Sequence, residues 1–90
     1  MNNVRRKRID KVSERIEKLV YIIEELREEI SSIIEDEREA VDNVPKNFQK
    51  HFNYELSEIG IDTLEETDSI LSDVYMELDE AVSTINDAWY

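Results

Sequence analysis

Apolar residues recur along the first half of the chain in alternating steps of three and four positions. Beginning at residue 9, eight consecutive positions of this series are apolar: Ile9, Val12, Ile16, Leu19, Ile23, Leu26, Ile30 and Ile33. Such an alternation is the heptad pattern of a helix that packs along its length against another helix. We therefore predict a helix over residues 3–42, roughly 60 Å long at about 1.5 Å per residue.

The stretch N-V-P-K-N marks the end of this helix. Pro45 disfavours helical geometry at the preceding Val44, so the chain is expected to turn near Asn43. Proline also suits the first turn of a new helix. The apolar spacing that follows predicts a short aromatic helix over 45–59.

A second heptad series begins after the single glycine of the chain. Its positions are Leu64, Thr67, Leu71, Val74, Leu78, Ala81, Ile85 and Ala88. Asp62 and Glu65 have the spacing of a helix start, so we expect a break at Gly60 and a long acidic helix over 62–89. A helix that continues through Gly60 with a kink is the alternative, because glycine costs only about 1 kcal/mol in a helix.

These elements predict an all-α fold, in which one domain of residues 1–90 forms an antiparallel, coiled-coil-like helical hairpin with a broken second arm. Two helices rarely bury enough apolar surface to be stable alone. Val20, Ile22, Ile34 and Val41 also widen the apolar stripe beyond the heptad positions. The aromatic segment could fold back to cover it, but we favour a homodimer that completes a four-helix bundle.

Charge is distributed very unevenly along the chain. The formal net charge is −12, from 23 Asp/Glu against 11 Lys/Arg, and residues 51–90 contain no cation. The cations of the basic N-terminal segment are Arg5, Arg6, Lys7, Arg8 and Lys11. In an antiparallel hairpin this segment would lie beside the acidic end of the last helix, which would offset its unfavourable position at a helix N-terminus.

The residues that usually carry chemistry are scarce. The chain has no cysteine, its one histidine (His51) has no second histidine to pair with, and no glycine-rich phosphate loop or serine-nucleophile motif is present. The longest apolar run, Leu19 to Ile23, is too short for a signal peptide core or a membrane span. We therefore predict a non-enzymatic protein without cofactor, metal or membrane contact.

Two groups of residues are candidate contacts for a protein partner. The acidic candidates on the last helix are Asp62, Glu65, Glu66, Asp68, Asp73, Glu77, Asp79, Glu80 and Asp87. The aromatic candidates, which would anchor an interface if exposed, are Phe48, Phe52, Tyr54, Trp89 and Tyr90.

The turn region carries a motif that resembles a known pattern. The residues that fit E-A-x-D-N-x-P-x-x-[LF]-Q are Glu39, Ala40, Asp42, Asn43, Pro45, Phe48 and Gln49. This pattern is similar to one in small acidic helical-hairpin proteins of Gram-positive bacteria and their phages and prophages, and L-D-E-A-V-S-T-I-N-D-A (78–88) resembles their second helix. The resemblance implies a helix, a turn and a second helix in a protein of the bacterial cytoplasm, and it implies no particular activity.

Three functions are compatible with these features. The first is a helical protein–protein interaction module, in its sharpest form a phage-encoded acidic inhibitor that mimics nucleic acid and occupies the basic cleft of a host protein. The second is a structural or assembly coiled coil, which would expose an apolar or aromatic strip instead of a continuous anionic surface. The third is nucleic-acid binding through the basic N-terminal segment, which the overall charge opposes.

Overall fold

The computed structural model describes residues 1–45 and 54–90, which form two antiparallel helices. Helix α1 covers Asn3–Asp42 and helix α2 covers Tyr54–Asn86. The molecule is a rod of 72 × 14 × 11 Å with a radius of gyration of 20.6 Å, against about 12 Å for a compact domain of this length. The predicted all-α hairpin is confirmed. In the described residues, no helix is long and apolar enough to cross a membrane.

Local sequence explains where α1 begins and ends. The side chain of Asn2 caps the helix, because its Oδ1 accepts a hydrogen bond of 2.9 Å from the backbone N–H of Arg5. At the other end, the backbone N–H of Asn43 donates to the carbonyl oxygen of Glu39 at 3.0 Å, and Pro45 follows two residues later. These ends agree with the helix that the heptad pattern predicts.

Helix α2 differs from the prediction at Gly60. The expected break there is wrong, because α2 runs without interruption from Tyr54 through Gly60 to Asn86. The hydroxyls of Thr63 and Thr67 donate to the carbonyl oxygens of Ile59 and Thr63, both at 2.8 Å, along the helix after the glycine. The earlier part of the predicted aromatic helix, residues 46–53, lies outside the described residues.

Gly60 lies inside a continuous helix, so alanine should be more favourable than glycine at this position. A Cβ atom at Gly60 would meet nothing within 4 Å. We therefore expect Gly60→Ala to raise the free energy of unfolding by about 0.5–1 kcal/mol, since alanine has less conformational freedom to lose on folding. Urea unfolding at one fixed protein concentration measures this change, and a loss of stability would show that Gly60 is needed for a close approach.

The helices meet through a different set of residues from the predicted seam. The α1 side chains that turn toward α2 and are buried or half-buried are Ile9, Ser13, Ile16, Val20, Ile23, Arg27, Ile30, Ile34, Glu37 and Val41. Their counterparts on α2 are Tyr54, Ser57, Ile61, Leu64, Asp68, Leu71, Tyr75, Leu78, Val82 and Ile85. Half of the predicted α1 seam is therefore wrong for the contact within the hairpin: Val12, Leu19, Leu26 and Ile33 do not face α2.

Candidate interaction surfaces

An apolar face covers one side of the hairpin. On α1 it consists of Val12, Leu19, Leu26 and Ile33, each between 42% and 49% exposed. On α2 it consists of Thr67, Val74, Ala81 and Ala88. Successive residues are about 100° apart around a helix axis. Viewed along each helix from its N-terminus, each strip therefore lies about 80° around the axis from the side that faces the other helix, and in the same direction of rotation for both helices. Because the helices are antiparallel, that common sense places the two strips on the same side of the hairpin.

A polar face covers the opposite side. The α1 positions there are Asp10, Glu17, Glu24, Ser31 and Arg38. The α2 positions are Glu58, Glu65, Ser72 and Asp79. An ion pair between Arg38 and Glu65 crosses between the helices on this side. A hydrogen bond with Glu24 raises the pKa of Tyr75 above its ordinary value, as does the charge of the same carboxylate. The hairpin therefore has one apolar face and one charged face.

Polar side chains also interrupt the contact between the helices. Arg27 donates from Nε to Oδ1 of Asp68 at 2.9 Å and from Nη2 to Oδ2 at 3.3 Å. The hydroxyl of Ser57 donates to Oε1 of Glu37. Each of these two polar contacts forms one layer between the helices, and its hydrogen bonds form only when α1 and α2 pair in this register. A shift of α1 along α2 would leave the polar side chains opposite apolar ones.

The pair of Arg27 and Asp68 predicts a dependence of stability on pH. The hydrogen bond from Arg27 lowers the pKa of the Asp68 carboxyl below its ordinary value of 3.8. A carboxyl with a lowered pKa in the folded state stabilises that state above its unfolded pKa, and this contribution is lost as the pH falls through the folded value. We expect Asp68→Asn to destabilise the protein at pH 6 and to cost progressively less below pH 3.8.

Urea unfolding of Asp68→Asn and of the unchanged protein across this pH range measures the effect. Asp73→Asn is the matched control, because Asp73 is exposed and, among the described residues, forms no ion pair. A difference in unfolding free energy between Asp68→Asn and the unchanged protein that stays constant down to pH 2 would contradict the prediction.

The acidic candidates separate into three groups in the structure. Asp68 and Glu65 pair with Arg27 and Arg38, and within the described chain no other candidate forms an ion pair. Four others form an acidic line at intervals of seven residues, or about 10.5 Å, on the side of α2 that faces away from α1: Glu66, Asp73, Glu80 and Asp87. The remaining three are also exposed: Asp62 and Glu77 lie beside this line, and Asp79 lies on the polar face.

The basic N-terminal segment lies at the open end of the hairpin, beside the C-terminal end of α2. The guanidinium of Arg6 sits over the ring of Trp89, 5.2 Å from its centroid, a cation–π contact that joins the two ends of the chain. Arg5, Lys7, Arg8 and Lys11 are exposed, and in the described part of the chain they form no ion pair. Nucleic-acid binding through these cations stays a prediction.

The aromatic candidates do not form one cluster. Trp89 contacts Arg6, Tyr90 is exposed next to it, and Tyr54 is half-buried at the start of α2, at the other end of the rod. Phe48 and Phe52 lie outside the described residues. In the rest of the chain, no group of three or more acidic or histidine side chains is arranged to hold a metal ion.

Sequence analysis did not identify the apolar face as a separate surface. The heptad pattern places its α1 residues in the contact within the hairpin and its α2 residues in the second seam. A signal was present, because Val20 and Ile34 lie one position after members of the predicted seam, and with Val41 they form part of a second heptad strip. A comparison of the chain with protein-family models, with curated proteins and with solved structures finds no match.

Proposed function

We propose that this protein is a non-enzymatic helical interaction module that acts by protein–protein contact and completes its own fold by self-association into a four-helix bundle. The apolar face carries this proposal. It presents a continuous strip of Val, Leu and Ile side chains that the hairpin leaves about half exposed, whereas a helix on the surface of a monomer exposes its polar side.

The small size of the hairpin core supports the same proposal. Among the described residues, Ile34 is the only apolar side chain that is buried, at 7% exposure. The accessible surface of the chain is 7212 Å², against about 5,500 Å² for a folded monomer of this mass. The chain therefore exposes more surface than a compact monomer of its mass. The difference between the two areas lies within the range of about 1,000–2,500 Å² that each subunit of an obligate homodimer buries. Pairing of the apolar faces would cover the surface that the isolated hairpin cannot.

The test is the mass and the concentration dependence of stability. Sedimentation equilibrium is expected to show twice the chain mass of 10.7 kDa. The midpoint of thermal unfolding is expected to rise with protein concentration, because dissociation and unfolding are linked in such a dimer. A monomer that unfolds at the same temperature over a hundredfold range of concentration would overturn the proposal.

The acidic line supports a second candidate function. Glu66, Asp73, Glu80 and Asp87 point away from α1, and α2 carries no cation to neutralise them. In the bacterial or phage setting that the sequence resemblance implies, such a line suits the basic cleft of a nucleic-acid-binding host protein. Carboxylates would take the place of phosphates, and binding would weaken steeply with salt, as phosphate contacts do.

A pull-down from nuclease-treated lysate tests this second function. A bound nucleic-acid-handling protein should be released by duplex DNA, and it should be lost when the four carboxylates of the acidic line are changed to amides. The matched control removes four acidic charges from the outer side of α1 instead, at Glu14, Glu28, Glu35 and Asp42. Capture that DNA does not displace, or equal loss with both variants, would contradict mimicry.

A further inference from the structure

We propose that the apolar face receives a second copy of this chain in one defined arrangement, with α1 antiparallel to the partner's α1 and α2 antiparallel to the partner's α2. A single two-fold axis would pass beside Ile22 and Val74. This inference rests on the proposed self-association and adds its surface, orientation and register. It follows from three independent observations: the charge of the two halves of the rod, the charges beside the apolar strip, and the register within the hairpin.

The two halves of the rod differ greatly in charge. The open half, residues 3–22 with 72–90, has seven Lys/Arg against eight Asp/Glu, a net charge of −1. The half near the turn, residues 23–45 with 54–71, has two Lys/Arg against fifteen Asp/Glu, a net charge of −13. Two hairpins with their turns at the same end would set −13 against −13. The reversed arrangement sets each acidic half against a nearly neutral one. It is strongly favoured because the electrostatic repulsion between the two copies is much smaller.

The residues along the outer edge of the apolar strip of α1 change sign about one point. In chain order this edge consists of Arg8, Arg15, Ile22, Glu29 and Asp36, at intervals of seven. When two copies of α1 run antiparallel with Ile22 beside Ile22, Arg15 faces Glu29 of the second copy and Arg8 faces Asp36. Each pair occurs twice by symmetry. A register shifted by one heptad in either direction would keep only one of these two kinds of charge pair, and it would set Ile22 beside Glu29 or Arg15.

The same register matches the apolar side chains of both helices. On α1 it sets Leu19 beside Leu26 of the second copy and Val12 beside Ile33. On α2 the symmetric position is Val74, with Thr67 opposite Ala81 of the second copy. The large side chains of α1 and the small ones of α2 therefore form separate layers, and no acidic side chain of either strip lies opposite another acid.

The register within the hairpin shows that these two symmetric positions belong to one axis. Arg27 pairs with Asp68, and Arg6 contacts Trp89. The two residue numbers add to 95 in both contacts. Residues of α1 and α2 whose numbers add to 95 therefore lie level with each other, and Ile22 lies level with residue 73. The member of the α2 strip nearest to this level is Val74, one residue or about 1.5 Å away. The axis that the charges of α1 select therefore also passes beside a member of the α2 strip.

Reversal of the paired charges tests the arrangement. Arg15→Glu and Glu29→Arg should each weaken the dimer about tenfold, since each replaces two attractive pairs with two repulsive ones. An equimolar mixture of the two variants should form the heterodimer in preference to either homodimer, because both pairs are then restored. Residues 15 and 29 are about 21 Å apart along one helix, so no contact within a chain can produce this rescue.

The matched control is the pair Lys18→Glu and Glu25→Lys, which makes similar charge changes on the side of α1 that faces away from both partners. No preference for the heterodimer is expected there. A second measurement uses the absence of cysteine from the chain. Ile22→Cys should give a covalent dimer with a short bismaleimide, whereas Arg8→Cys should not, because the two copies of residue 8 would be about 42 Å apart.

The outcomes separate this inference from the proposed function. A dimer in which the charge variants show no heterodimer preference and Ile22→Cys does not crosslink would overturn the arrangement and leave self-association standing. A chain that stays monomeric in sedimentation would overturn both the self-association and the arrangement. The apolar face would then be a contact surface for a different protein. Heterodimer preference together with crosslinking at residue 22 would support both.

Discussion

Leu26→Ser is expected to dissociate the protein at concentrations where the unchanged chain is dimeric. Leu26 is 42% exposed in the hairpin and lies at the centre of the apolar face. In the dimer it would be buried in both copies, so the substitution removes two leucine side chains from the interface. At about 2 kcal/mol for each, the loss is about 4 kcal/mol, or roughly a thousandfold in the dissociation constant.

Met76→Ser is the matched control for this prediction. Met76 is 64% exposed, more than Leu26, but it lies on the outer side of α2 away from the apolar face. Both substitutions replace an unbranched or γ-branched helix former with serine, so their costs in helix propensity are similar. Analytical ultracentrifugation of both variants distinguishes the two positions. Equal behaviour would show that the apolar face is merely exposed surface and not an interface.

Ile34→Ala is expected to cause the largest loss of stability of any single truncation within the hairpin contact. Ile34 is 7% exposed, and it lines a groove together with residues of both helices, among them Arg38 and Asp68. Truncation of a buried isoleucine costs about 2–5 kcal/mol, through lost burial and the cavity left behind. Small proteins have only about 5–15 kcal/mol of stability in total, so a chain with so small a core would lose a large share of it.

The control for Ile34→Ala is Ile59→Ala, at a position on α2 that is 53% exposed and faces away from α1. Its expected change in unfolding free energy is below about 0.5 kcal/mol. Urea unfolding of both variants at one protein concentration compares them directly. If Ile59→Ala cost as much as Ile34→Ala, burial in the hairpin would not be the source of stability.

The proposed self-association would explain why the chain carries more apolar residues than a two-helix hairpin needs. Ile9, Ile16, Ile23 and Ile30 face α2 and also border the apolar face. A helix in a four-helix bundle needs such a broad stripe, because it contacts two neighbouring helices. The hairpin contact can then include polar layers such as Arg27 with Asp68, which favour one register even where they add little stability.

Much of the fold could be predicted from the sequence. Local signals determined the ends of α1, because Asn2 and Pro45 act on the backbone next to them. Heptad spacing determined that both arms are helical and amphipathic. Gly60 shows the limit of such signals: its cost of about 1 kcal/mol is small beside the many helical residues on either side, so α2 continues through it.

Only the tertiary structure decided which strip of α1 faces α2. Two heptad strips share Ile9, Ile16, Ile23 and Ile30, and the more apolar of them, with Val12, Leu19, Leu26 and Ile33, is the one that pattern analysis selects. The structure instead turns Ser13, Arg27 and Glu37 toward α2, where Asp68 and Ser57 satisfy two of them. Pattern reading treats each helix alone, whereas the choice between strips depends on which polar groups the other helix brings within hydrogen-bonding distance.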